Sequence, residues 1–389
     1  MPSFLVFGGA NFYGRALIQQ LCKEREQAIA AGESKADWVI RGVDKILPQL
    51  ASFPVDTLHL YQTFDYRMGN LRSQEFLERA FVRDSADGSQ QHSWDYVFNF
   101  AAEHKFGQTD QVYEQDVHQI SVSIARLAAQ FEAGVLVQLS TAHVFKAKGN
   151  ARHSEDDNLD PPHELAEAHI RAENDMRAIT ALPLVILRPA LCYGPGDRQN
   201  VVPMLIAALL SKVGGEKMPV LWEKDLRVNT VHVDDVASAA IKTARWHYKT
   251  PGAALFNLAD PGDTTNIVLA QTVAKVFGTE PTFNNSAVNF FVKRLKTAEL
   301  TEEVNESLLG PWMDLLSAHG ISNSSLSPYI DQEHPYCRLD SRPLGVDGSR
   351  ITSTPGLGFE YAYSTPTTAA LQVIVEEFQQ LGLWPQIAA

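Results

Sequence analysis

Three glycines and one carboxylate carry the first chemical signal in this chain. Gly8 and Gly9 end the short apolar run Phe4-Leu5-Val6-Phe7, and Gly14 stands inside the helix-compatible stretch from Tyr13 to Cys22. A strand that turns sharply into a helix on glycines lets the backbone approach a pyrophosphate, and the first N–H groups of the helix make an anion site with its dipole. An ordinary tight turn has the same composition, so a partner residue is needed. Asp44 closes a second strand, Trp38-Val39-Ile40 through Gly42-Val43, where it can accept hydrogen bonds from an adenosine ribose and repel a 2′-phosphate. The expected cofactor is NAD rather than NADP. Asp44 follows Gly14 by 30 residues, where about 20 is usual, which puts an insertion in the polar connection EREQAIAAGESKAD. Lys45 and Arg41 are charges still able to meet a 2′-phosphate.

Glu103-His104-Lys105, after the apolar run Tyr96-Val97-Phe98-Asn99-Phe100, is the second signal. A carboxylate beside an imidazole makes an acid/base pair when burial and opposite charge move their pKa values apart. A charged loop in water is the other reading.

The elements that must position these groups follow from the apolar pattern. The runs already named, with Val135-Leu136-Val137-Gln138-Leu139 and Leu184-Val185-Ile186-Leu187, alternate with helical patterns such as SVSIARLAAQF. Continuous apolar strands between helices argue for a parallel sheet covered on both faces. Beyond Pro189, YGPGDRQN is a turn, VVPMLIAALL and DDVASAAIKTA are helix candidates, VNTVHV is a strand candidate, and Thr367 to Leu381 is a final helix. Residues 281–347 look irregular, with separate helical pieces in FFVKRLKTAELTEEV and PWMDLLSAHG. The expected fold is α/β: a Rossmann-type doubly wound parallel sheet over residues 1–188. Residues 189–389 are expected to form mainly a smaller C-terminal α/β substrate lobe, with some segments returning to the first domain.

Composition narrows the function classes. The 389 residues are 45% apolar, ample for a core, which excludes general disorder. Lys and Arg number 33 against 46 Asp and Glu, a net charge of −13 that disfavours nucleic acid and anionic membranes as partners. No window holds the roughly 20 apolar residues of a membrane helix. The N-terminus has no basic n-region and no cleavage site, so the fold is expected to open directly. Cys22, Cys192 and Cys337 form no C-x-x-C pair, so no disulfide framework or metal site is expected, and the cytoplasm fits.

GGANFYG at 8–14 resembles the G-x-x-G-x-x-G turn of the extended short-chain dehydrogenases/reductases, the NAD-dependent epimerase/dehydratase family, with Asn11 replacing the middle glycine. MGNL at 68–71, FNFAAE at 98–103, LSTAHVF at 139–145, LRPALCYGPGD at 187–197, VHVDDVASA at 231–239 and FNLADPGDTTNI at 256–267 agree in order, so the resemblance spans most of the chain. It implies that Asn11, Phe12 and Tyr13 join the glycines at the pyrophosphate. Asn70 and Leu71 would then lie near the adenine, Ala101 and Ala102 would line the groove, and Pro189 would sit beside the nicotinamide. Thr141 would hold the reacting oxygen, Glu103 and His104 would lie next to the nicotinamide or substrate, and His143 and His163 would stand near the substrate mouth. The relatives also pair two helices across a homodimer, here those containing SVSIARLAAQ and His169.

The resemblance breaks at the catalytic pair. Family members use Tyr and Lys in Y-x-x-x-K spacing, the lysine lowering the tyrosine pKa; here Leu165 and His169 fill those places, and the nearest downstream phenol is Tyr193. His169 shares a helix face with Leu165 and can bond a nicotinamide ribose or titrate near neutrality. The diphosphate-binding arginine of nucleotide-sugar members would fall at Val228, with Arg227 adjacent and Lys217, Lys224 and Arg350 as other phosphate contacts. Two functions follow: an NAD-dependent oxidoreductase acting on a small sugar-like or nucleotide-sugar substrate with a non-standard acid/base, or a catalytically impaired NAD-binding scaffold or sensor. A hydroxysteroid-type dehydrogenase is a third, weakened because those relatives use the same Tyr and Lys.

Overall fold

Strands buried on both faces build the centre of this molecule, as seen in a computed structural model that describes residues 2–32, 38–84, 90–283, 297–339 and 342–387. Besides a two-stranded antiparallel ribbon of Arg83–Asp84 and Gln90–Gln91, the strands among the described residues are β1 (Ser3–Phe7), β2 (Val39–Asp44), β3 (Asp65–Met68), β4 (Tyr96–Asn99), β5 (Val135–Leu139), β6 (Leu184–Pro189), β7 (Leu191–Tyr193), β8 (Met218–Val220), β9 (Thr230–His232), β10 (Ala253–Leu258) and β11 (Pro281–Phe283). Seven of them form one all-parallel sheet in the order β10-β6-β5-β4-β1-β2-β3. The order reverses at β1, between β4 and β2, the place where open α/β sheets leave a crevice for ligands. Two short parallel pairs, β7 with β9 and β8 with β11, lie outside it.

Eight helices matter for the site: α1 (Phe12–Ala30), α2 (110–130), α3 (Glu164–Arg177), α4 (Val202–Val213), α5 (Val233–His247), α6 (Asn266–Val276), α7 (Thr297–Ala318) and α8 (Thr368–Gln380). A π turn, Glu114–Gln119, interrupts α2, and there the Asp116 carbonyl accepts the Glu103 N–H at 3.3 Å. Helices α1 and α5 pack on each other and on one face of the sheet, with α2 and α3 on the other. A separate core joins α4, α6, α7 and α8 around Trp222, Trp312 and Trp384.

Three expectations about elements change. The connection EREQAIAAGESKAD is helical as far as Ala30, because its first half is made of good helix formers and Arg25 is buried against Thr63. Strand β3 gave no apolar run because it is the sheet's edge and half exposed. The helical pieces either side of Pro311 are one helix, α7: proline deletes an N–H and crowds the preceding turn, but Trp312, fully buried with its indole N–H donated to Leu326 O (3.1 Å), anchors the helix beyond it. Residues 290–296 of the first piece lie outside the described residues.

One buried ion pair ties α3 to the sheet beneath the groove. Arg188 on β6 donates from Nε and Nη2 to Glu173 on α3 (2.9 and 2.5 Å), and the Ser140 hydroxyl donates to the same carboxylate at 2.6 Å. Both charged side chains are 2% exposed. Removing one partner of such a pair strands the other charge, so Glu173→Ala is expected to lower unfolding free energy by about 3–5 kcal/mol, measured by denaturant titration.

Candidate active site

The turn from β1 into α1 is set by contacts that only glycine permits. Gly8 has φ +77°, and a Cβ there would lie 2.5 Å from the Phe100 carbonyl carbon; a Cβ on Gly14 would lie 2.0 Å from Gly8 O. Asn11 is the N-cap of α1: its Oδ1 accepts the Gly14 N–H (2.8 Å) while its Nδ2 donates to Phe100 O (2.6 Å). The residue replacing the middle glycine thus locks the turn to the end of β4. Asp44 locks it to β2, its carboxylate accepting the Ala10 N–H (3.0 Å) and the Lys45 N–H (2.6 Å). Burial raises the Asp44 carboxyl pKa above the usual range, and these backbone bonds oppose the shift.

A groove with two lobes opens along the C-terminal ends of the parallel strands. One lobe, ≈ 330 Å³, is lined by Gly8, Asp44, Asn70, Leu71 and Ala101. The other, ≈ 380 Å³, is lined by Phe12, Tyr13, Thr141, His143, His169 and Pro189 among others. Asn11, Lys45, Ala102 and Glu103 line both, so the lobes meet beneath the glycine turn. Residues expected at the adenine and those expected at the nicotinamide and reacting oxygen therefore share one continuous groove.

Within the larger lobe, Thr141 Oγ1 accepts the His143 backbone N–H at 3.2 Å. His143 Nε2 is buried and has no hydrogen-bond partner among the described residues. Burial, with His163, His334 and His169 nearby, pushes the His143 pKa well below the usual imidazole value, so the ring is neutral at pH 7. Leu165, at the place of the phenol in the Y-x-x-x-K pattern, also lines this lobe.

Several expected roles do not survive the geometry. His169 is 3% exposed and burial pulls its pKa down to about 3, so it does not titrate near neutrality; it faces the lobe as a neutral imidazole. Glu103 and His104 do not form an acid/base pair: the carboxylate accepts the Lys105 N–H (3.0 Å) and meets Lys45 Nζ (3.8 Å), whereas the imidazole packs against Tyr13 and approaches Phe100 O (3.4 Å). His163 is the N-cap of α3, its Nδ1 accepting the Ala166 N–H at 3.2 Å, and lines a separate cavity of ≈ 30 Å³ beside His143. Tyr193 lines neither lobe; strand alternation buries it against His232. Arg227 is held by Asp263 (2.8 and 2.9 Å) outside the groove. Arg41 is buried against Asp65 and the carbonyls of Ala80 and Val82, away from any 2′-phosphate. Lys217 pairs with Glu280, Lys224 lies over Phe283, and Arg350 pairs with Glu155 and Asp156.

The groove also takes residues that the motifs did not nominate. Arg15 and Arg198 line the larger lobe, and His334 packs on Phe106, whose own side chain lines it. Arg15 follows the glycine turn directly, and Arg198 follows YGPGD, so proximity to a motif was their one signal. His334 comes from a stretch with no motif at all. No group of three or more His, Cys, Asp or Glu among the described residues is placed to hold a metal ion, and no described helix is long and apolar enough to cross a membrane.

Solved structures with this architecture include the UDP-glucuronic acid 4-epimerase of Bacillus cereus in complex with UDP-glucuronic acid and NAD, at 17% identity and TM-score 0.56, over 73% of this chain and 86% of that one. The dTDP-glucose 4,6-dehydratase of Bacillus anthracis in complex with NAD is 19% identical at TM-score 0.56, over 73% and 86%. The ADP-L-glycero-D-manno-heptose-6-epimerase of Helicobacter pylori is 15% identical at TM-score 0.56, over 72% and 84%. At these identities the likeness is one of fold. No curated protein matches the chain in a sequence comparison. The model of the NAD dependent epimerase/dehydratase family matches residues 4–259, a span that runs from β1 past β10 and contains the glycine turn and both lobes of the groove. The chain belongs to that family.

Proposed function

We propose that this chain binds NAD along the two-lobed groove and acts as an epimerase/dehydratase-type oxidoreductase on a hydroxyl or carbonyl carbon of a sugar-like or nucleotide-sugar substrate. The carrying observation is that the glycine turn, the β2 carboxylate and the Thr141 hydroxyl open onto one groove at the strand ends. The turn fits the cofactor, since the space that Cβ atoms would fill at Gly8 and Gly14 is taken by backbone, bringing α1's first turn against β1. Residues 1–188 supply most of the cofactor contacts in this reading and residues 189–389 most of the substrate lobe. When bound, NAD supplies reversible two-electron transfer at the carbon carrying the reacting oxygen.

The chain's own part is to hold that oxygen and move its proton. Thr141 donates its hydroxyl hydrogen to the reacting oxygen, leaving its lone pairs to the His143 N–H. His143 Nε2, buried without a partner beside Thr141, takes the proton when the oxygen is part of a hydroxyl and returns it when a carbonyl is reduced. His169 and Leu165 exclude water where relatives place a cation and a phenol. That replacement also favours a second reading, a binding-only scaffold; turnover of any sugar-type substrate by the native protein would dismiss it.

Saturating NAD, at about 100 times its Kd, should add about 2.7 kcal/mol to unfolding free energy. Gly14→Ala should abolish this gain, and no heat of binding with either NAD or NADP would end the proposal. Thr141→Val should lower kcat by about 10²–10³-fold, the usual loss on removing one oxygen-holding donor, with a smaller change in KM. The His143 ring loses its neutral form only well below its ordinary pKa, so the acid limb of kcat against pH is expected below about 6.5. His143→Phe should remove that limb together with most of the turnover.

A further inference from the structure

A cationic wall of the larger lobe is left over from the chemistry assigned so far. Arg15 lies in the first turn of α1 and is bound through both terminal nitrogens to Glu377 of α8 (2.8 and 2.5 Å). Arg198 lies close by, on the turn after β7, and lines the same lobe. Gly196 joins the two: its φ is +87°, and a Cβ there would stand 2.9 Å from Arg15 Nη1. The turn therefore packs on the first turn of α1. Asp197 makes the turn rigid rather than neutralising it, because its buried carboxylate accepts the N–H groups of Gln199, Asn200 and Val201 (3.0, 2.9 and 2.7 Å).

Arg198 itself meets neutral groups. Nη1 donates to Ser325 Oγ (2.8 Å), Nη2 reaches Ala51 O (3.5 Å), and the guanidinium carbon lies 5.7 Å from the centre of the Phe378 ring. No carboxylate lies within ion-pair distance of it among the described residues. The charge of Glu377, which Arg15 already binds, reaches Arg198 only from beyond ion-pair distance, and burial together with Arg15 lowers the Arg198 pKa against it. A partly buried cation without its own counter-ion is costly, and a planar fork of N–H donors matches phosphate oxygens. Lys45, the other cation on this lobe, already faces Glu103.

We propose that Arg198 is a diphosphate clamp, closing on a pyrophosphate held at the first turn of α1. Two molecules carry that group: the dinucleotide itself and a nucleotide-sugar substrate. The inference rests on the groove being the ligand site, and Arg227, engaged by Asp263, leaves the diphosphate of a nucleotide sugar without the arginine first expected for it.

The test is calorimetric titration of the full-length protein, and of Arg198→Met and Arg198→Lys, with ADP-ribose and separately with UDP. Methionine keeps the packing on Phe378 and removes the charge. For Arg198→Met, a tenfold or greater loss of affinity for one ligand is expected, with the ligand-free unfolding midpoint unchanged. The ligand affected names the source of the diphosphate. Arg198→Lys should recover part of the loss, and the variant lacking charge should show a shallower dependence of affinity on salt. Affinities of Arg198→Met within twofold of the parent for both ligands would overturn the clamp while leaving the groove intact. Failure of the parent to bind either ligand would instead overturn the functional reading beneath it.

Discussion

The approach of Gly14 to the Gly8 carbonyl is the constraint on which the site depends. Any side chain at position 14 would put a carbon 2.0 Å from that oxygen, a separation that no packing adjustment short of moving α1 can relieve. Because the contact holds, α1 starts directly at the end of β1 and its first turn faces the crevice where the strand order reverses. Asn11 then secures the turn to Phe100 beyond β4, and Asp44 secures it from β2, so three neighbouring strands meet at one backbone loop. The Tyr61 hydroxyl adds a fourth tie by donating to Gly9 O. A groove built on such a loop is rigid where phosphates would be held.

How far the sequence could be followed depends on the range of the interactions involved. Buried parallel strands announce themselves as apolar runs, and β1, β2, β4, β5 and β6 were legible for that reason. Edge strand β3, with its half-exposed DYRM, has no such pattern to offer. The extension of α1 to Ala30 was hidden by its charge, since an exposed helix tail and a polar loop share a composition. Helix α7 shows the converse limit: the local cost of Pro311 is plain in the sequence, while the burial of Trp312 that outweighs it is tertiary.

The same distinction governs the site. Gly8, Asp44, Asn70, Ala102, Thr141 and Pro189, which the motifs nominated, all line the groove, because each closes a strand or a turn whose position the topology fixes. Electrostatic partners were not legible. Glu103 and His104 are adjacent in the chain but face different neighbours, Lys45 and Tyr13. Arg15 finds Glu377 at a separation of 362 residues, and Arg227 finds Asp263. Adjacency in sequence says little about where a charge discharges, since a side chain turns toward whatever counter-charge the fold brings to it.

The two departures at Leu165 and His169 make sense as one change rather than two. In the pattern this chain resembles, a lysine cation serves to depress a tyrosine pKa, and neither residue is useful alone. Here the position of the cation holds an imidazole whose pKa burial has lowered to about 3, with His104, His163 and Arg188 adding repulsion. A positive charge at that point would stand without a counter-charge beside Arg188, whose own carboxylate, Glu173, is already spent on it and on Ser140. With no cation to stabilise a phenolate, a phenol at 165 would remain protonated and inert as a base, and leucine at that position packs among Tyr113, Val117 and Ala168 instead. In the proposed reading the proton is then moved by a group that is neutral at pH 7 without help from a cation. In that reading the group is the His143 imidazole, whose buried Nε2 has no hydrogen-bond partner among the described residues and whose backbone N–H bonds Thr141.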